Sequence, residues 1–314
     1  MSDILFIKTS SLGDVIHQMP AVTEARRHLP QARFCWVVEE AFAPLVRLHP
    51  AVSVVIPVAT RRWRQALFSP ANWRDMARFT SMLRGRRYDQ IVDTQGLFRS
   101  AVLARVARGR RHGYDADSVR ERAAAALYDV RHRVPRGLHA IERNRQLTGL
   151  ALGYRPTGGI DFGLDRERVA QTSGRYGLLL HATARTEKEW PEDRWIALGA
   201  ALAGRADRLV LPWGNERERV RSVRIADAVQ TAVVPERQPL DRVAALIAGA
   251  SFVIGVDTGL LHLAAALGVP VVGIFLGSEP GLTGPLGGGK IAVVGSAGVA
   301  PSVAEVLGAL DRVV

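Results

Sequence analysis

Several stretches of this 314-residue chain follow an apolar run with hydroxyl, carboxylate and cationic side chains, the combination that holds phosphate and moves protons. In Lys8-Thr-Ser-Ser-Leu-Gly-Asp14 the run leads straight into a helical pattern. Gly13 permits a tight turn there, and Ser10, Ser11 and the following amides suit an anion at the helix start. Asp14 either caps that helix or acts as a general base. In His181-Ala-Thr-Ala-Arg-Thr-Glu-Lys-Glu-Trp-Pro191 a polar loop joins a strand to a helix begun at Pro191. It is either plain surface, or Thr183 and Lys188 contact a pyrophosphate. Val253-Ile-Gly-Val-Asp-Thr-Gly-Leu-Leu-His262 reads as a buried strand, a turn and a helix with His262 in its first turn. The amides of Thr258 and Gly259 would point from that helix toward a phosphate, unless Asp257 or Thr258 simply caps it and His262 packs nearby. Glu216, in Pro212-Trp-Gly-Asn-Glu216, either binds a pair of sugar hydroxyls or is a solvated first-turn glutamate. Only three of the 42 basic residues are lysines, Lys8, Lys188 and Lys290, and two of them stand inside these motifs.

Other patterns fail on their chemistry. Gly284-Pro-Leu-Gly-Gly-Gly-Lys-Ile291 approaches a P-loop, but Ile291 replaces the hydroxyl that would meet magnesium, and Ala292-Val-Val294 reads as strand. Asp115-Ala-Asp117 matches a metal-binding Asp-x-Asp only by a pattern that arises easily by chance, in an arginine-rich loop. No Gly-x-Ser-x-Gly elbow and no Gly-x-Gly-x-x-Gly fingerprint follows the first strand, which argues against a hydrolase and an NAD enzyme.

The elements that must position these residues alternate between short β-branched runs and amphipathic stretches, the pattern of parallel sheets covered by helices. One set has strands at Ile4–Thr9, Phe34–Val38, Val52–Ile56 and Gln90–Asp93, with helices at Val15–His28, Asn72–Leu83 and Ser100–Arg108. The other has strands at Tyr176–Leu180, Arg208–Leu211, Thr231–Val234, Phe252–Val256 and Val269–Ile274. Helices at Trp195–Ala203, Glu216–Ala228, Asp241–Ala248 and Gly259–Leu267 separate them. Gly153-Tyr-Arg-Pro-Thr-Gly-Gly159 breaks both periodicities and is the expected linker, giving domains 1–155 and 156–314. Ser302–Val314 has helical spacing and either closes the second domain or reaches back to the first. Ligands of such sheets bind beyond the carboxyl ends of the strands, so the chemistry is expected in those loops.

Charge divides the two halves. Residues 1–155 hold 26 Lys and Arg against 13 Asp and Glu, and the remainder 16 against 17, so the whole net charge of +12 resides in the first half. Either a solvated basic face or an anionic partner explains it: nucleic acid, an acidic membrane surface or a polyanionic substrate. No uncharged apolar stretch is long enough to span a bilayer, and Met1 to Leu12 lacks the parts of a signal peptide, so a cytoplasmic protein is expected. The single cysteine, Cys35, excludes an internal disulfide and a cysteine-built zinc site, and belongs in a buried strand.

The motifs above, with Trp36-Val-Val-Glu-Glu40, Arg61-Arg-Trp-Arg64 and Asp93-Thr-Gln-Gly96, resemble in order and spacing the lipopolysaccharide heptosyltransferase I family, part of glycosyltransferase family 9. The resemblance runs from Ile4 to about Gly281, and Glu39-Glu40 with the Arg61–Arg64 cluster favours type I over type II. It implies an α/β GT-B fold, two Rossmann-like doubly wound domains facing across a cleft, the first for the acceptor and the second for the nucleotide-sugar. The implied reaction is an inverting, metal-independent transfer of L-glycero-D-manno-heptose from ADP-heptose to the inner Kdo of Kdo2-lipid A, with no cofactor. By the same resemblance Asp14 is the general base, and Lys188, Thr183 and the Thr258–Gly259 helix start stabilise the departing ADP. Asp257 and His262 hold heptose and phosphates, Glu216 the ribose, and Ser10 and Gly13 border the donor. Arg61, Arg62 and Arg64 are expected to meet the acceptor's carboxylates and phosphates. The expected location is the cytoplasmic face of the inner membrane, held peripherally by anionic lipid, with no nucleic-acid partner. Ala184 departs from the family pattern, where a second Thr is usual, as does Gly277-Ser-Glu-Pro280.

Two competing readings remain: a related family 9 transferase with another nucleotide-sugar or acceptor, and a basic nucleic-acid-binding α/β protein. The second has charge alone in its favour, without a base-stacking aromatic motif. The absence of a convincing carboxylate pair beside the phosphate motifs yields a direct test. Transferase activity should survive excess EDTA; abolition by chelator with rescue by Mn²⁺ would make Asp115 and Asp117 ligands after all.

Overall fold

The computed structural model describes residues 2–66, 69–170, 174–183, 186–277 and 280–314, which form two compact units, Met1–Gly163 and Leu164–Val314. The first unit runs β1 (Asp3–Ile7), α1 (Leu12–His28), β2 (Arg33–Glu39), α2 (Ala43–Val46), β3 (Val52–Val58), α3 (Thr60–Gln65), α4 (Pro70–Arg84), β4 (Arg87–Asp93), α5 (Phe98–Val106), β5 (Arg108–Tyr114), α6 (Arg122–Ala125), β6 (Val130–His132) and α7 (Ala140–Leu152). The second runs α8 (Arg166–Val169), β7 (Tyr176–Leu180), α9 (Glu192–Ala201), β8 (Arg208–Val210), α10 (Glu216–Ala228), β9 (Ala232–Val233), α11 (Leu240–Ala248), β10 (Phe252–Val256), α12 (Gly259–Ala266), β11 (Val271–Ile274), α13 (Pro280–Thr283), β12 (Ile291–Val294) and α14 (Val303–Val313).

Each unit is one six-stranded sheet whose pairings are all parallel. The orders are β3-β2-β1-β4-β5-β6 and β9-β8-β7-β10-β11-β12, so the two units share one Rossmann-like topology. Parallel strands covered on both faces must be apolar throughout, and β7 and β10 are buried at every residue. In the first unit α4 and α5 pack on one face, where Phe79, Leu83 and Ala104 meet Leu5, Val37 and Ile91. In the second, Trp190 and Trp195 meet edge to face at 5.1 Å within the core. The final helix, α14, packs on β11, β12 and α9, and so closes the second unit.

Most expected strands and helices appear with ends shifted by a few residues, and Cys35 is buried in β2 as expected. The helix expected to reach Arg108 stops at Val106, because Arg108 opens β5. Strands β5 and β6 escape the sequence reading: Arg108-Gly-Arg-Arg-His-Gly-Tyr114 has no apolar alternation, and its neighbour is three residues long. Ile291–Val294 is a strand, in keeping with rejection of the P-loop. The preceding glycines serve backbone packing instead. A Cβ on Gly287 would lie 1.8 Å from the Ala265 carbonyl oxygen, and one on Gly289 2.6 Å from that of Gly268, at the far end of α12.

Residues beyond α7 are tied to the first unit by a buried ion pair. Glu24 of α1 accepts two hydrogen bonds from Arg145 of α7, at 3.0 and 3.1 Å, and a third from the Thr157 amide at 2.6 Å. Arg145 also donates to the Thr157 and Gly158 carbonyls. Only 5% of the Glu24 and 8% of the Arg145 side chain is exposed, so removing either partner strands a buried charge. Glu24→Ala should lower stability by about 3–5 kcal/mol in chemical denaturation. A loss under about 1 kcal/mol would mean that water replaces the carboxylate there at little cost.

Candidate functional site

In a sheet of this order, neighbouring connections leave in opposite directions where the order reverses, and polar loops collect at that point. The reversal lies between β1 and β4 in the first unit and between β7 and β10 in the second. The motifs singled out from sequence follow these strands: residues 8–14 after β1, 93–96 at the end of β4, 181–188 after β7 and 257–262 after β10.

In the first unit Ser11 is the N-cap of α1, and Asp14 is its third helical residue rather than its cap. The Asp14 carboxylate accepts from the Ser11 amide at 2.9 Å and from the Ser11 hydroxyl at 3.1 Å. A carboxylate in the first turn is favoured by the helix dipole. Gly13 lies inside that first turn, so the bend is made by the residues before it, a correction to the tight turn expected at Gly13. The amides of Thr9 and Ser10 donate to Gln95 Oε1, and the Ser10 hydroxyl accepts from Arg99 at 3.0 Å. Ser10, expected to take an anion together with Ser11 and the amides that follow, thus already has protein partners at both its amide and its hydroxyl.

Beneath this turn are two buried charged residues, Lys8 and Asp93, whose importance the sequence reading missed. Lys8 is buried, its ammonium donating to the Thr94 carbonyl at 2.9 Å and to Asn144 Oδ1 at 3.4 Å. Burial pushes its pKa down, against the pull of Asp14 and Asp93. Asp93, fully buried, accepts from Tyr128, Ser100 and the amides of Gln95 and Gly96. Burial pushes its pKa up and those four bonds oppose the shift. The available signal was an aspartate ending an apolar strand, followed by Thr-Gln-Gly.

The arginine cluster forms α3, which is anchored by Glu39, the last residue of β2, and by Glu40, which follows it. Glu39 accepts from the Thr60 hydroxyl at 2.7 Å and the Arg61 amide at 3.0 Å. Arg62 is held bidentately by Glu40 and by Asp75 at 2.7 Å. Arg61 lies 5.2 Å over the Phe42 ring, and neither it nor Arg64 has an ion-pair partner among the described residues. Expected as equals, the three therefore divide: Arg62 fastens the helix, while Arg61 and Arg64 present charge to solvent. Asp115 accepts from the Ser118 amide at 2.8 Å, and Asp117 is 80% exposed and 3.8 Å from Arg122. Among the described residues no group of three or more His, Cys, Asp or Glu could hold a metal ion.

The second unit assembles its motifs into one network. Lys188, in the 3-10 turn Thr186–Lys188, is 2.6 Å from Asp257 Oδ2, and Asp257 Oδ1 is 3.5 Å from His262 Nε2. Thr183 donates to the Asp257 carbonyl at 3.1 Å. Thr258 is the N-cap of α12, and Gly259 its first residue. Thr183, Lys188, Asp257, Thr258, Gly259 and His262 thus meet at one switch point, with a cation and the positive end of a helix together. His181 is buried against Ser222 at 2.7 Å, and burial pushes its pKa down to about 4. Ala184, Ser278 and Glu279, where the sequence departs from the family pattern, lie outside the described residues; a Cβ on Gly277 would lie 3.5 Å from the Lys188 Cγ.

Beside this network a cavity of about 560 Å³ is lined by Ala182, Glu189, Glu216, Arg217, Glu218 and Arg221, among others. Glu216 begins α10 and is gripped by Arg219 at 2.7–3.0 Å. Glu218, which the sequence reading passed over, folds back onto the Gly214 amide at 2.7 Å.

Comparison with known proteins agrees with this architecture. Residues 76–306 match the model of glycosyltransferase family 9 (heptosyltransferase). Lipopolysaccharide heptosyltransferase 1 of Pseudomonas aeruginosa is 44% identical over 292 residues, 92% of this chain and 82% of that protein. Its namesake from Escherichia coli K12 is 41% identical over 90% of this chain and 91% of its own length. The solved structure of E. coli heptosyltransferase WaaC with ADP superposes with a TM-score of 0.93 at 37% identity, covering 99% of this chain and 100% of that one. WaaC with ADP-2-deoxy-2-fluoro heptose gives 0.86 at 39%, covering 94% of each. With two parallel sheets of the GT-B type and these relatives over most of its length, the chain belongs to glycosyltransferase family 9 and is a heptosyltransferase.

Proposed function

We propose that the chain transfers L-glycero-D-manno-heptose from ADP-heptose to the inner Kdo of Kdo2-lipid A, by a single inverting displacement that needs no metal. The observation that carries this reading is the Lys188–Asp257–His262 network beside the start of α12. A diphosphate leaving without a metal needs a cation and oriented amides, and both are gathered there. Asp14 takes the proton of the acceptor hydroxyl as its oxygen bonds to the anomeric carbon. The bond from that carbon to the phosphate oxygen breaks, and ADP departs with the electron pair toward Lys188, Thr183 and the amides of Thr258 and Gly259. Asp257 and His262 hold the sugar and phosphates, and Glu216 meets the ribose once Arg219 yields an oxygen. Ser10 and Gly13 border Asp14, and Arg61 and Arg64, with Arg62 fixing their helix, attract the acceptor's anionic groups. The acceptor is lipid-linked and the first half basic, which supports a peripheral site of work on the cytoplasmic face of the inner membrane. No helix among the described residues is long and apolar enough to cross a membrane.

The test is incubation with ADP-heptose and Kdo2-lipid A, with one added heptose expected by mass spectrometry. Asp14→Asn should fold and bind donor, yet lose roughly 100- to 10,000-fold in turnover. More than about a tenth of wild-type kcat in that variant would place the base elsewhere.

Lys188 acts on charge that grows as ADP leaves, so it should matter more to the transition state than to ADP binding. Lys188→Ala is expected to lower kcat roughly 100-fold or more and to weaken ADP less than tenfold, with Lys188→Arg restoring only part of the loss. Normal kcat with much weaker ADP binding would make Lys188 a ground-state anchor instead.

A further inference from the structure

The outer surface of α4 and α5 combines two features that the transfer chemistry leaves unused. Of the seven exposed large apolar side chains among the described residues of the first unit, five stand on these helices: Trp73, Met76 and Met82 on α4, Phe98 and Val102 on α5. Trp73 is 60% exposed and Phe98 49%. The helices pack side by side on the same face of the sheet, so their outer sides form one surface. Among the described residues of the second unit the exposed large apolar side chains are Val and Leu, with no Trp, Phe or Met.

The same surface is cationic. Of the 11 arginines and three acidic residues (Asp75, Asp89 and Asp93) within residues 60–108, five arginines, Arg74, Arg78, Arg84, Arg99 and Arg105, and one acid, Asp75, stand on the two helices. Asp93 is buried, and Asp75, the single acid of α4, is already paired with Arg62. Trp73 and Met76 sit side by side at i, i+3 spacing, and Arg74 and Arg78 run next to them at i, i+4. A protein partner would be expected to meet a surface of this charge with carboxylates in fixed positions. A bilayer needs only diffuse negative charge and a depth into which Trp can sink, and the interface of headgroups and acyl chains is where Trp is favoured.

We propose that the outer face of α4 and α5 docks the first unit on an anionic phospholipid surface, with Trp73, Met76 and Phe98 entering the headgroup layer and Arg74 and Arg78 meeting lipid phosphates. The proposal deepens the reading of a lipid-linked acceptor. Neither signal suffices alone: a few arginines give salt-labile attraction, and a shallow apolar patch gives weak partition, so stable docking needs both.

The test uses the full chain and vesicles free of acceptor, either phosphatidylcholine alone or phosphatidylcholine mixed with phosphatidylglycerol. The wild type should sediment with the mixed vesicles and not with the neutral ones. Arg74→Gln with Arg78→Gln should weaken that partition by about 25-fold, about fivefold per arginine. Trp73→Ala should weaken it roughly tenfold. Arg168→Gln, exposed in the second unit, should leave it unchanged. All variants should keep wild-type heptose transfer to detergent-dispersed acceptor, which also shows that they fold. Failure of the wild type to bind mixed vesicles, or binding indifferent to both the Trp73 and the arginine changes, overturns the proposal. So does a dimer in solution that Trp73→Ala dissolves, which would give the face to a second copy. Vesicle binding as expected with no transfer to dispersed acceptor would instead overturn the reaction proposed above and leave the docking face standing.

Discussion

The reversal of strand order beside β1 and beside β7 is the constraint on which the rest of this molecule depends. A parallel sheet buried on both faces has no place for charge along its strands, so polar residues are expelled to the strand ends. At the reversal the connections part, and the expelled groups share space instead of being covered by a helix. Each unit uses that space differently. The first fills it with a self-satisfied scaffold, Lys8, Asp93 and Gln95 beneath the turn that carries Asp14. The second gathers Lys188, Asp257 and His262 there, beside the start of a helix.

The scarcity of lysine has a structural counterpart. Arginine spreads its charge over a planar fork and serves wherever bidentate pairing is wanted, as in Arg62 with Glu40 and Arg145 with Glu24. Lysine appears where one compact ammonium must fit one place. Lys8 is enclosed below Asp14's turn and Lys188 closes on one carboxylate oxygen, while Lys290 is exposed. Charge alone would not have separated these from 39 arginines; position after a buried strand did.

That position is also why much of the fold was legible in the sequence. Strands β7 and β10 were read residue for residue, because five consecutive apolar residues ended by polar ones admit few other placements. Strands β5 and β6 were not, since a strand toward the sheet edge with Arg at 108, 110 and 111 carries no apolar period, and its neighbour is only three residues long. Among site residues, the gathering of Thr183, Lys188, Asp257 and His262 follows from strand ends that pair in the sheet. The division among Arg61, Arg62 and Arg64 could not be read, because it depends on Glu40 and Asp75, residues 22 and 13 positions away in the chain. For Lys8 and Asp93 the sequence offered only their places at the ends of apolar strands, which mark a site but do not tell an enclosed charge from a solvated one.

The glycines at 287 and 289 bear on how such chains are catalogued. They are pressed against the carbonyls that end α12, about as far from Thr258 as that short helix allows. A scan for glycine-rich nucleotide loops keyed on Gly284 to Lys290 would therefore flag the foot of the helix, while the end suited to phosphate carries only Gly255 and Gly259. Here glycine density records how closely two backbones pass, and a glycine count taken without the helix direction points at the wrong pole.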